Sequence, residues 1–202
     1  MNKKEISALN EMSSIAARYT AAALSKLLQI KLNLMIRKIN FLGVEEAENS
    51  VRDLEEVSAG ICIRYAGEFL KSGAILIVLP KDAALSLVDI LLNKDKGPAK
   101  ILDGLEKSAF DEIGNIMASA YISAIANFLK IKIRQSVPHS AIDMTGALLD
   151  ACLAQIAAQT DKTMLTEAIF IVKNKKINIK FYFLLEAGEA LNLLKKAKKQ
   201  NE

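Results

Sequence analysis

The chain has few of the residues that build metal, redox and covalent catalytic sites: its 202 residues include one histidine, two cysteines and no tryptophan. The lone His139, which follows Pro138 in what we expect to be an exposed polar loop, excludes a zinc site with two histidine ligands. Cys62 and Cys152 belong to no CxxC or Cys/His cluster, and we expect two buried thiols. We therefore predict no metal site and no cofactor in this chain.

The sequence motifs of several common enzyme classes are absent too. The chain contains no GxxxxGKS/T or GxGxxG loop for phosphates, no GxSxG nucleophile elbow and no HExxH zinc helix. The acidic stretch Glu45–Glu56 lacks the spacing and the glycine of a calcium-binding EF-hand, so we expect a solvated loop there. These absences argue against P-loop enzymes, dinucleotide enzymes, α/β-hydrolases and zinc proteases of the HExxH type.

Long apolar runs and a strong excess of one charge are missing as well. No apolar segment approaches the roughly 18 residues that cross a membrane, and no signal peptide follows Met1. The 27 basic and 23 acidic residues leave a net charge of +4, which is too small and too dispersed for a nucleic-acid interface. We expect a cytoplasmic protein that binds neither a membrane nor a nucleic acid.

Aliphatic residues dominate what is present, because 51% of the chain is hydrophobic and only 5% is aromatic. An internal repeat organises them. Shifted by 101 positions, the sequence places Ser7 on Ser108 and Glu11 on Glu112, with nine identities in the 25 columns from 7 to 31. Repeats of this kind indicate that one structural unit occurs twice.

We predict one domain, 1–202, made of repeat unit A at about 5–95 and repeat unit B at about 104–200, with a junction near 93–104. Each unit is predicted to contain a long helix, three strands and a short closing helix. The predicted segments are helices 6–29 and 105–129, strands 32–37, 59–65, 73–79, 131–137, 167–173 and 177–185, and closing helices from Pro80 and near Ala187.

The two units differ in the middle, where only the second has an apolar helical segment, 144–158. Asp103 and Glu106 resemble a capping box at the start of the second long helix. Together the elements predict an α+β fold, a pseudo-two-fold tandem repeat in which two long helices pack on a largely antiparallel β-sheet.

A polar stripe on the second long helix is the candidate site. Ser108, Glu112 and Asn115 lie at i, i+4 and i+7, within roughly 60° of one another on the helix wheel. An ordinary solvent-facing helix surface would show the same pattern. Gly114, however, costs about 1 kcal/mol relative to alanine inside a helix, so it indicates either a close approach or a function.

The string Ser108-x3-Glu112-x2-Asn115-x22-Pro138 resembles the signature of the CheC/CheX/FliY phosphatases of chemotaxis. The resemblance extends over nearly the whole chain, since CheC proteins have this length and this tandem organisation. It implies a protein phosphatase that hydrolyses the aspartyl phosphate of a CheY-like response regulator, with Mg²⁺ on that receiver only. It also implies roles for the residues: Glu112 contacts a receiver lysine, Asn115 orients the attacking water, and Ser108 and Pro138 belong to the motif and its rim.

The first copy of the motif departs from this pattern. Ser7 and Glu11 match, but Ser14 replaces the asparagine and Arg37 stands where the proline would fall. The carboxamide of asparagine offers a donor and an acceptor together, whereas the shorter serine does not. We therefore expect a degraded first site beside an intact second one.

A further resemblance concerns the apolar segment 143–153, which is similar to the helix by which CheC proteins bind CheD, a receptor deamidase. It implies a partner surface around Leu149 and Asp150, whereas a plain core helix would have the same composition. The leading hypothesis is a monomeric phosphatase. The alternatives are a non-catalytic adaptor of the same fold that binds CheD or a flagellar switch component, and a purely structural repeat protein.

Overall fold

One antiparallel sheet of eight strands organises the fold. The computed structural model describes residues 3–37, 39–51, 53–68, 70–93, 101–158, 160–172 and 177–200. The elements in chain order are α1 Lys3–Leu28, β1 Asn33–Ile36, β2 Asn40–Gly43, α2 Val44–Ser50, β3 Val57–Gly67, β4 Leu70–Pro80, α3 Lys81–Leu92, α4 Gly104–Leu129, β5 Ile133–Gln135, β6 His139–Met144, α5 Thr145–Ala157, β7 Lys162–Val172, β8 Ile177–Glu186 and α6 Ala187–Gln200.

Two long hairpins form the centre of the sheet. The strand order is β1-β7-β8-β4-β3-β5, with β2 also pairing with β7 and β6 also pairing with β3. The hairpins β3–β4 and β7–β8 join where β4 pairs with β8, for example with Ile75 opposite Phe183. Because β5 and β6 share β3 as their neighbour, the segment between them lies at one edge of the sheet.

Alternation of side chains along the strands gives the sheet two buried faces. Odd-numbered residues of β3 and β4, such as Ile61 and Ile77, pack with α1, α3, α4 and α6 in the larger core. Even-numbered residues of β4, such as Leu76, pack with α2 and α5 in a smaller core on the opposite face. The helix α4 therefore lies in the larger of the two helical layers.

Contacts with α1 hold α4 from one side. The hydroxyl groups of Ser13 and Tyr121 are 2.6 Å apart, and the Thr20 hydroxyl donates to the carbonyl oxygen of Met117 at 3.4 Å. The Tyr121 ring packs against Phe181 and Phe183 on β8. Burial raises the pKa of Tyr121, so the phenol stays neutral and keeps its hydrogen bond to Ser13 over the working pH range.

Gly114, which lies seven residues before Tyr121 and therefore on the same face of α4, holds the helix close to the sheet. A Cβ atom on Gly114 would lie 2.6 Å from Cδ1 and 2.8 Å from Cγ2 of Ile61 on β3, and real Cβ atoms do not approach so closely. The close approach that the glycine indicated is therefore confirmed.

The predicted α+β class with a largely antiparallel sheet is confirmed, as are the long helices, the closing helices and the helix over 144–158. The order helix, two strands, helix, two strands, helix occurs twice along the chain. The pseudo-two-fold itself stays a prediction. Most of the expected junction, 94–100, lies outside the described residues.

Three expectations are wrong. The stretch Glu45–Glu56 is not only loop, because Val44–Ser50 forms α2, which buries Ala47 against the smaller core. The Asp103 side chain makes no capping hydrogen bond, so the capping box does not form. Cys62 and Cys152 are joined as a disulfide, because the packing of α5 on β3 brings their Cα atoms within 6.2 Å.

His139 is exposed as expected, but it lies on strand β6 and not in a loop. Neither β2 nor β6 was predicted, so each unit has four described strands where three were expected. Among the described residues, no helix is both long enough and apolar enough to cross a membrane.

The substitution Gly114→Ala should lower the free energy of unfolding by about 1–2 kcal/mol, because crowding against Ile61 outweighs the gain in helix propensity. Chemical denaturation at 25 °C would measure the change. Gly146→Ala on α5 is the matched control, since its Cβ would lie 3.5 Å from the nearest atom, an ordinary contact. Adding Ile61→Val, which removes Cδ1, should recover part of the loss. A Gly114→Ala protein as stable as the parent would contradict this packing.

Candidate functional site

The four motif residues of the second unit come together at one cleft. Ser108 and Glu112 are exposed on α4, and Asn115 is half-buried one turn further along. Opposite them stands the connection from β5 to β6, which ends with Pro138. The cleft has a volume of about 520 Å³ and is lined by Ser108, Asp111, Glu112, Asn115, Gln135, Ser136, Val137 and Pro138.

The first turns of α4 supply the outer part of the cleft. The Ser108 hydroxyl donates to the carbonyl oxygen of Gly104 at 3.0 Å, so it is engaged within its own helix. Lys107 and Asp111 form an ion pair at 2.8 Å through Oδ2 of the aspartate. The other oxygen, Oδ1, is buried and accepts no hydrogen bond from any residue that the structure describes.

A side-chain network holds Asn115 at the inner end. The amide nitrogen of Gln135, on β5, donates to Oδ1 of Asn115 at 2.9 Å and to the hydroxyl of Ser119 at 2.7 Å. Asn115 and Ser119 lie one turn apart on the same face of α4. The Nδ2 group of Asn115 makes no hydrogen bond within the described part of the chain.

The wall opposite α4 is fixed to the sheet. The Ser136 amide donates to the carbonyl oxygen of Arg64 on β3 at 2.8 Å, and the Arg64 amide donates to the Ser136 hydroxyl at 3.1 Å. The next residue, Val137, is 70% exposed and forms an apolar tip at the rim. A docking protein would therefore meet a rigid, partly apolar edge beside the polar cleft.

This arrangement suits the positioning of a reactant better than covalent catalysis. The exposed carboxylate of Glu112 and the amide of Asn115 are one turn apart on the same helix, and the amide carries both donor and acceptor groups. The only hydroxyl of the motif, on Ser108, donates its hydrogen bond to the backbone of its own helix, at the carbonyl oxygen of Gly104. Within the described ranges, no three histidine, cysteine, aspartate or glutamate residues cluster as metal ligands would.

The first copy of the motif lies on α1, apart from this cleft. Ser7 and Glu11 are exposed, and Ser14 is half-buried. Arg37, at the position of the missing proline, pairs through Nε with Oε2 of Glu167 at 2.9 Å. A larger and more apolar groove, of about 560 Å³, lies between the C-terminal halves of α1 and α4, but no motif residue lines it.

The partner surface expected on α5 needs a correction. Leu149 is fully buried between α5 and the sheet, so it is a core residue and cannot contact a partner. Asp150 is exposed, and its part in CheD binding stays a prediction.

Sequence reasoning missed Asp111, Gln135, Ser136 and Val137 as lining residues. A signal for Gln135 exists, because strand alternation places it on the same face as Ile133, which packs on the helical core.

Comparisons with known proteins bear on the fold and on the segment that carries the motif. Residues 105–141, which include the whole motif, match the model of the CheC-like family. The chain is 22% identical over 187 residues to the CheY-P phosphatase CheC of Bacillus subtilis, covering 92% of this chain and 88% of that relative.

Two solved structures share the fold. The X-ray structure of Thermotoga maritima FliY has a TM-score of 0.73 at 18% identity, covering 98% of both chains. A chain in the crystal structure of a FliG–FliM complex from H. pylori has a TM-score of 0.65 at 12% identity, and the match covers 95% of the present chain and 100% of the chain from the complex. The match over 105–141 and the similarity to CheC confirm the resemblance seen in the sequence: the chain is similar to proteins of the CheC-like family, and the segment that carries the motif matches that family's model.

Proposed function

We propose that the chain hydrolyses the aspartyl phosphate of a CheY-like response regulator in chemotaxis, with Glu112 and Asn115 as the catalytic residues. One observation carries the proposal: Pro138, which is distant in the sequence from Glu112 and Asn115 on α4, meets them at a single cleft. The match of this segment to the CheC-like family and the name of the Bacillus subtilis relative support it. In this proposal the chain acts as a monomer in the cytoplasm.

Division of labour with the receiver explains why so few groups are needed. The receiver brings the phosphorylated aspartate and the Mg²⁺ that neutralises charge on the phosphoryl group. This chain brings Glu112, whose exposed carboxylate pairs with a lysine of the receiver, and Asn115, whose amide holds a water in line with the phosphorus. The water oxygen bonds to phosphorus as the bond to the aspartate oxygen breaks, releasing inorganic phosphate and the free carboxylate.

Positioning alone can account for a large acceleration. Holding a reactant in line replaces an encounter by an intramolecular step, which is worth effective molarities of about 10⁵ M or more in favourable cases. No covalent intermediate is required, in keeping with the engagement of the Ser108 hydroxyl by Gly104. Ser108 and Pro138 then shape the rim.

The second candidate function is a non-catalytic adaptor that binds CheD or a flagellar switch component. The substitution of Ser14 in the first copy and the fold shared with a FliG–FliM complex favour it. The amide retained at Asn115, with a hydrogen-bonded holder, favours the phosphatase. Hydrolysis of a phosphorylated receiver, measured with and without this protein, decides between them: an adaptor would leave the rate unchanged.

Asn115→Ala should reduce the acceleration of receiver dephosphorylation by about 100-fold, because the water loses its positioning group. Phosphate release under single-turnover conditions measures the effect. The free energy of unfolding should change by less than about 1 kcal/mol, since Asn115 is only half-buried. Ser14→Ala on α1 is the matched control and should leave the rate unchanged. An Asn115→Ala protein as active as the parent would refute the assignment.

Glu112→Ala should raise KM about tenfold with kcat little changed, because an anchoring ion pair binds ground state and transition state alike. The contact should also weaken as salt is added, since the carboxylate is exposed. Steady-state kinetics at two ionic strengths measure both effects, with Glu11→Ala as the matched control. A fall in kcat alone would move Glu112 from anchoring into the chemical step.

The dependence of the reaction on Mg²⁺ should arise from the receiver. Calorimetric titration of the isolated chain with Mg²⁺ should give no stoichiometric binding, whereas a chelator added to the complete reaction should abolish the acceleration. Tight uptake of one Mg²⁺ by the isolated chain would count against this division of labour.

A further inference from the structure

Gln135 is a lining residue that donates a hydrogen bond to the proposed water-positioning group, Asn115. An amide nitrogen carries two hydrogens. In Gln135 both are used, one for Oδ1 of Asn115 and one for the hydroxyl of Ser119. The two acceptors lie on successive turns of α4, so Gln135 binds the helix at two points and its own amide plane is fixed.

The backbone of Gln135 is fixed as well. It lies opposite Tyr65 in the β3–β5 pairing. The Tyr65 ring is buried, stacks on Phe183 and donates its hydroxyl hydrogen to the carbonyl oxygen of Leu184 at 2.8 Å. Gln135 therefore extends toward α4 from a strand that is paired with a residue anchored in the core.

For Asn115 this contact selects one orientation of the amide. The terminal torsion of asparagine is soft and has two broad wells, so an unheld amide exchanges its oxygen and nitrogen. With Oδ1 bound to Gln135, Nδ2 is the group left for the cleft, and no described residue accepts a hydrogen bond from it.

The first unit offers an internal comparison. At the offset of 101 residues, Ser14 stands where the second unit has Asn115, and Leu34 stands where it has Gln135. Leu34 packs against the larger core and has no polar group to offer a neighbouring helix. The second unit therefore has both Asn115 and the glutamine that holds it, whereas the first unit has neither.

We propose that Gln135 is a positioning residue that turns Nδ2 of Asn115 toward the attacking water. The water accepts a hydrogen bond from Nδ2 with one lone pair and attacks phosphorus with another. Donation by Gln135 to Oδ1 polarises the amide and strengthens Nδ2 as a donor. This inference rests on the function proposed above.

Gln135→Glu tests the proposal with almost no change of shape. A carboxylate only accepts hydrogen bonds, so it would bind Nδ2 of Asn115 and turn the amide over. We expect kcat to fall about tenfold with KM unchanged. Gln29→Glu, the same substitution at an exposed position outside the cleft, controls for the added charge and should leave both constants unchanged.

A double-mutant cycle shows whether Gln135 acts through Asn115. In an Asn115→Ala background, Gln135→Glu should cause no further loss of kcat. Equal losses in the two backgrounds would overturn the proposal, because Gln135 would then act independently of Asn115.

A spectroscopic measurement separates this proposal from the proposed function. The Nδ2 protons of Asn115 can be observed by NMR in the isolated protein, assigned by their loss in Asn115→Ala. Gln135→Glu should shift them downfield as they become hydrogen-bonded. An unchanged signal would overturn the positioning role. A shifted signal in a protein that never accelerates receiver dephosphorylation would support that role and overturn the proposed function.

Discussion

The close packing of α4 on the sheet is the constraint on which the candidate site depends. Gly114 brings the helix backbone against Ile61, at a distance where a Cβ atom would meet its side chain at 2.6 Å. The next residue is Asn115, rotated by about 100°. The distance of the helix from the sheet at Gly114, and its rotation about its own axis, therefore determine where the Asn115 amide meets Gln135. A helix displaced outward by one methyl group would break a 2.9 Å hydrogen bond.

Two turns further along the same face of α4, a hydrogen bond to α1 holds the helix as well. The pair of Ser13 and Tyr121 satisfies two buried hydroxyls at once, and losing either partner would leave the other unpaired at a cost of about 1–3 kcal/mol. Because burial raises the pKa of Tyr121, the phenol does not ionise where the protein works. The helix is thus held by packing of Gly114 on β3 and by a neutral hydrogen bond from Tyr121 to α1.

The part of the site that lies within one helix could be predicted from the sequence, because the period of 3.6 residues per helical turn places Ser108, Glu112 and Asn115 on one face. Pro138 came from the family resemblance alone. The rest depends on tertiary contacts that no local pattern encodes. The helix α2 was not predicted because its glutamates made the segment look like a solvated loop, although Ala47 is buried. Leu149 was assigned to a partner surface because the sequence of an apolar helix does not show which of its faces packs on the sheet. Gln135 was missed because a single polar residue at a strand end is common.

The first unit differs from the second at several positions of the candidate site and not at one alone. Relative to the second unit it lacks the amide, the glutamine that would hold it and the proline of the opposite wall, having Ser14, Leu34 and Arg37 instead. Under the proposed function, each replacement removes a different group: the amide that positions the water, the hydrogen-bond donor that holds the amide oxygen, and the proline of the rim. Arg37 is moreover committed to Glu167 across the β1–β7 edge. An asparagine placed at position 14 alone would therefore lack the glutamine that fixes the orientation of Asn115, because Leu34 has no hydrogen-bonding group to replace it.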